Sequence, residues 1–119
     1  MASAQAHHDR PFDRPLDRDH LRRTALGDLA LEREVLTMFL AQAGRLVDTL
    51  ATQPADASAL AHTLKGSARA IGAFDVADGA AMLEAALQKG EGTDEALSAL
   101  RDAVAVARAA IEAILKNSQ

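Results

Sequence analysis

The chain contains no cysteine, tryptophan or tyrosine among its 119 residues. Without cysteine there is no disulfide, no thiol nucleophile and no Cys-based zinc site. Phenylalanine is the sole large aromatic residue and aromatics make up only 3% of the chain, so any core must be assembled from Ala, Leu, Val and Ile. That palette suits packed helices. No apolar run approaches the ~20 residues needed to cross a bilayer. The N-terminal stretch MASAQAHHDRPFDRP lacks the apolar segment of a secretory signal, and the expected location is cytoplasmic. A formal net charge of -4 with no basic stripe argues against gripping nucleic acid through its phosphates. Also missing are a Walker-type or kinase Gly-rich loop, an H-E-x-x-H pair and a G-x-S-x-G elbow. The chain is therefore expected to have no ATP site, no metal site and no hydrolase nucleophile of its own. His7 and His8, with Asp9 beside them, could hold a metal only weakly, and no second ligand set has the right spacing.

What is present fits a single helical domain. Hydrophobic residues at 49% and charged residues at 25% are ordinary for a globular protein. Residues 1–15 are polar, carry Pro11 and Pro15 and show no periodicity, so a flexible leader is expected there. A short helix is predicted from near Asp17 through Leu21 towards Leu26, stopping at Gly27. Asp28 can cap the next helix, whose series Leu31, Val35, Met38, Phe39, Leu46 and Leu50 keeps helical spacing until Pro54. Asp56 is the next candidate cap, for a helix from about Ala57 to Ile71 with Gly72 as its stop. A fourth helix follows Asp75, uses Val76, Leu83 and Leu87, and ends before Gly90. Thr93 is the expected cap of the last helix, where Leu97, Leu100, Val104, Ala107, Ile111 and Ile114 alternate by three and four. Amphipathic helices on short connections, with no β-alternation, predict an all-α fold. The expected form is an antiparallel up-down four-helix bundle with a short additional N-terminal helix.

Projecting the third helix at 100° per residue separates its two sides. Measured from His62, Leu60, Leu64 and Ile71 lie at roughly 160°, 200° and 180°, on the far side. If they face the core, His62 faces water. Ser58, Lys65, Gly66, Arg69 and Ala73 fall within about 60° of His62 on the same wheel. A free imidazole, with a pKa of ~6.5, is largely neutral near pH 7 and offers a lone pair that can attack phosphorus. Lys65, one turn on, can offset a phosphate charge of roughly -2. A glycine inside a helix costs ~1 kcal/mol relative to alanine; Gly66 is easier to understand if something must approach beside His62. An exposed histidine among polar neighbours is also, quite ordinarily, solvated surface.

The segment from Ala61 to Ala73, AHTLKGSARAIGA, closely resembles the signature of histidine-containing phosphotransfer (HPt) domains. Leu16 to Leu50, with Asp28 and Phe39, looks like that family's leading helices, and Leu83-Glu84-Ala85 looks like its following helix. The resemblance implies a four-helix bundle over residues 16–116, with a short tail at 117–119. It implies that His62 accepts a phosphoryl group from a receiver-domain aspartate and passes it to another receiver. Lys65 and Gly66 match the residues lining the phosphoacceptor. The resemblance also implies that the chain is a phosphocarrier rather than an enzyme, needing no cofactor itself because the receiver supplies Mg2+. Response-regulator receivers or a hybrid sensor kinase are the implied partners, and a monomer is expected. Arg69 departs from the family, which more often has a small or uncharged residue there; it is a candidate for contacting phosphate or an acidic receiver surface. Glu84 and Gln88 lie where the family approaches the histidine, so either could hydrogen-bond the ring or pair with Lys65. Ser58 shares the same face.

Two other functions compete with this one. A helical interaction module could bind receiver or kinase domains without being phosphorylated, although Lys65 and Gly66 both suit a working acceptor. The acceptor part of a sensor kinase usually has an acidic residue directly after its histidine, whereas Thr63 follows His62 here.

Overall fold

The computed structural model describes residues 15–117. Most of the expected leader, with His7 and His8, lies outside them, as do Ser118 and Gln119. Within the described residues the chain forms five helices and no strand: α1 Arg18–Thr24, α2 Leu29–Ala51, α3 Ala57–Ile71, α4 Phe74–Lys89 and α5 Thr93–Asn117. None is long and apolar enough to cross a membrane.

Of the expected caps, Asp28 forms as anticipated, and Asp17, where the first helix was expected to begin, caps that helix as well. The Asp17 carboxylate accepts from the His20 amide at 3.1 Å and that of Asp28 from Leu31 at 3.1 Å, each satisfying an orphan donor of a first turn. The other boundaries differ. α1 ends at Thr24 rather than near Leu26, because Leu26 and Gly27 both take left-handed conformations, with φ of 59° and 75°. Asp56 sits at the start of α3 without making a capping bond. α4 begins at Phe74, so Asp75 falls in its first turn, where a carboxylate still complements the helix dipole. Thr93 is already helical, and the carbonyl of Gly92 accepts from Ala96 in the capping position.

α2 touches α3, α3 touches α4, α4 touches α5 and α5 returns to α2, around one buried apolar cluster. Leu21, Leu36, Leu64, Val76, Leu83, Leu100 and Ile111 are its large, fully enclosed members. Alanines fill the space between them. At Gly79 a side-chain carbon would come within 3.3 Å of the Leu100 Cα, so this position lets α4 and α5 approach closely. α1 packs across α2 and α3. It is tied down by a 2.9 Å bond from the Asp17 amide to the Gly72 carbonyl and by the Thr24 hydroxyl donating to Ala70 O at 3.0 Å. Gly72 ends α3 at a φ of 90°, and any Cβ there would lie 2.7 Å from Asp17 O. Both facts require glycine.

The face of α2 needs correcting. Phe39 and Leu50 are buried as expected and Val35 and Leu46 pack at the margin, but Met38 and Leu31 are exposed. The buried ridge is Leu36, Phe39, Ala43, Val47 and Leu50. Counting only large residues shifted the stripe, because Ala43 and Val47 carry its middle. Glu32 continues this ridge one turn before Leu36; it is buried, with Arg22 Nε 3.5 Å from one carboxylate oxygen.

Candidate functional site

The inner face of α3 is built from Ala57, Ala61, Leu64, Ala68 and Ile71. That arrangement turns His62 outward, and its side chain is 67% exposed. The expected core face is right in outline, although Leu60 is only half-buried and the alanines do more of the packing than the leucines. Ala73 does not share the histidine's side: α3 ends at Ile71, the wheel no longer applies, and Ala73 is fully buried.

α4 brings Glu84 to the ring. Leu83 is committed to the core, and the adjoining position places Glu84 beside α3. One carboxylate oxygen, Oε2, lies 3.1 Å from His62 Nδ1, and the other, Oε1, lies 2.9 Å from Lys65 Nζ. Of the two α4 residues expected near the histidine, Glu84 makes both contacts. The Lys65 and Glu84 side chains are largely covered, at 19% and 18% exposure, while the ring they support stays open. The hydrogen bond from Lys65 holds the Glu84 carboxyl below its usual range. Partial removal from water opposes this, and the bond from His62 and the two neighbouring charges add to the lowering.

An ionised carboxylate can only accept a hydrogen bond. Nδ1 of His62 must therefore be the donor, and in the neutral ring the lone pair resides on Nε2. Nε2 is the nucleophilic atom that this arrangement leaves free. A histidine held in one tautomer with its other nitrogen open can attack an electrophile carried by a partner.

At Gly66 an added Cβ would meet nothing within 4 Å. No contact inside the molecule demands glycine there, and the bare helix surface lies next to His62. Arg69 is exposed and Ser58 half-buried; neither side chain forms a hydrogen bond or ion pair among the described residues. Gln88, one turn beyond Glu84, is likewise exposed and does not reach the ring. The described residues hold no cluster of three or more His, Cys, Asp or Glu suited to a metal ion. The joint grip of one carboxylate on His62 and Lys65 was not visible in the sequence, although Leu83-Glu84-Ala85 marked the right place.

Comparison with curated proteins gives no match. The family model for the Hpt domain matches residues 34–114, more than half of the chain, and His62, Lys65, Gly66 and Glu84 all fall inside that range. The chain therefore belongs to the Hpt-domain family, the histidine phosphotransfer modules of two-component signalling.

Proposed function

We propose that this protein is a phosphocarrier of a phosphorelay, accepting a phosphoryl group on Nε2 of His62 from a receiver-domain aspartate and passing it to a second receiver. The observation that carries this reading is the exposed ring whose Nδ1 is engaged by Glu84 while Nε2 stays free. His62 is nucleophile in one direction and leaving group in the other. Lys65 offsets the charge of the migrating group by turning part of its attraction from Glu84 to the phosphoryl oxygens. Gly66 leaves room for the donor to approach. The receiver contributes Mg2+ and the aspartate, and ATP is spent elsewhere, on a kinase. The closed cycle of helix contacts and the short connections support an antiparallel up-down four-helix bundle over residues 16–116; that it works as a cytoplasmic monomer is part of the same proposal.

The test is to mix the protein with a panel of phosphorylated receivers and follow the label. Acid-labile, hydroxide-stable label should appear on the wild type and be absent from His62→Gln. Label retained in that variant, or never acquired by the wild type from any receiver, would overturn the proposal.

A further inference from the structure

Glu84 could fix the tautomer of His62 without being charged. A glutamine oxygen in the same place would also accept from Nδ1–H. The carboxylate adds a full negative charge 3.1 Å from Nδ1, and its purpose follows from counting protons and electrons. Before transfer the neutral ring has its proton on Nδ1 and its lone pair on Nε2. The Nε2 pair then forms the N–P bond, the O–P bond of the donor aspartate breaks, and that pair returns to the donor carboxylate. No proton has moved. The ring now bears hydrogen on Nδ1 and phosphorus on Nε2, and the positive charge it has acquired appears next to Glu84.

We infer that Glu84 is a positioning residue whose charge keeps the phosphorylated His62 ring protonated at Nδ1, and so keeps it a good leaving group for the onward step. This rests on the reading of His62 as phosphoacceptor. In onward transfer the N–P bond breaks with its pair remaining on Nε2, and an aspartate oxygen of the receiving partner forms the new O–P bond. A ring that has kept its Nδ1 proton departs as neutral imidazole. A ring that has lost it must depart as an imidazolide anion, a far poorer leaving group. An opposite charge in direct contact favours the ionised form by roughly one to three units of pH. The charged groups at the ring among the described residues are Glu84, from α4, and, through Glu84 Oε1, Lys65 on α3. Lys65 acts in the opposite sense on the ring, partly compensated by its own pairing. Arg69, farther along α3, pairs with neither.

The experiment uses the full chain as wild type, Glu84→Gln, Glu84→Asp and Lys65→Ala, each phosphorylated chemically with potassium phosphoramidate and checked for helical content. Phosphorus-31 NMR then follows phospho-His62 across pH. The transition at which the phosphorylated ring loses its proton should fall by at least about one pH unit in Glu84→Gln. It should rise in Lys65→Ala and stay nearer the wild type in Glu84→Asp, which keeps the charge. Above the lowered transition, onward transfer from Glu84→Gln to a receiver should slow about tenfold or more relative to wild type, and below it the gap between the two proteins should narrow. Coincident transitions in wild type and Glu84→Gln, or Glu84→Asp behaving like Glu84→Gln, would overturn the role of the charge. Failure of wild-type His62 to take label at all would overturn the phosphocarrier reading and this inference together.

Discussion

Gly66 is a helix-interior glycine with open space where its side chain would be, and that makes it informative. Alanine there recovers about 1 kcal/mol of helix propensity, worth roughly 4–8 °C in Tm for a domain near this size. Gly66→Ala should therefore melt higher. If the bare backbone keeps the approach to His62 clear, the same variant should also accept phosphate more slowly. Calorimetry and label transfer read the two effects separately. A variant that is more stable and equally fast would remove Gly66 from the site. The pairing of opposite signs matters, since a residue kept for packing would lose stability and activity together.

On α3 the two faces can be tested against each other. His62 is mostly in water and Leu64 is fully enclosed. His62→Gln should change stability by no more than about 0.5 kcal/mol, while Leu64→Asp places an unpaired charge in the core and should unfold the protein. Thermal melts of the two variants decide it, and comparable losses would mean that the face assignment is wrong. This helix was legible because Leu64 and Ile71 lie opposite His62 and Gly72 ends it. α2 was legible in extent but not in orientation. Its buried ridge runs through Ala43 and Val47 and includes the charged Glu32, and a count of large apolar residues weights none of these properly. Nor could a wheel choose between Glu84 and Gln88. It fixes angles within one helix, while the residue that meets His62 depends on how far α4 slides along α3, which is set by the Gly72–Ala73 turn and by Leu83 seating in the core. The left-handed Leu26 had no sequence signal, since leucine ordinarily avoids that region.

For the molecule as a whole, acid should erase part of what the site contributes. The Glu84 carboxyl is held below its usual range in the folded protein, chiefly by Lys65. Its contribution to stability is therefore present above the unfolded value and lost as pH falls through the lowered folded value. Glu84→Gln lacks it at every pH. The Tm difference between wild type and Glu84→Gln should shrink on acidification across that window, and a difference constant with pH would contradict the assigned ion pair.

The family match starts at residue 34, inside α2, yet the core does not start there. Leu21 is completely enclosed and Leu16 nearly so, and the Asp17–Gly72 bond fastens α1 to the turn that sets α3 against α4. A helix of 7 residues has little stability of its own, so α1 persists through this packing, and the packing in turn completes one end of the core. Leu21→Ala should cost about 2–5 kcal/mol, a large part of the roughly 5–15 kcal/mol that holds a domain folded. The His62–Glu84–Lys65 contact is made by α3 and α4 alone, so the variant should still accept phosphate at low temperature, where it remains folded. Urea unfolding measures the first effect and label transfer at about 10–20 °C, near the stability maximum of such domains, the second. A loss under about 1 kcal/mol would mean that α1 only lies on a core complete without it. Loss of transfer in a protein still folded would mean that α1 helps hold the histidine surface itself.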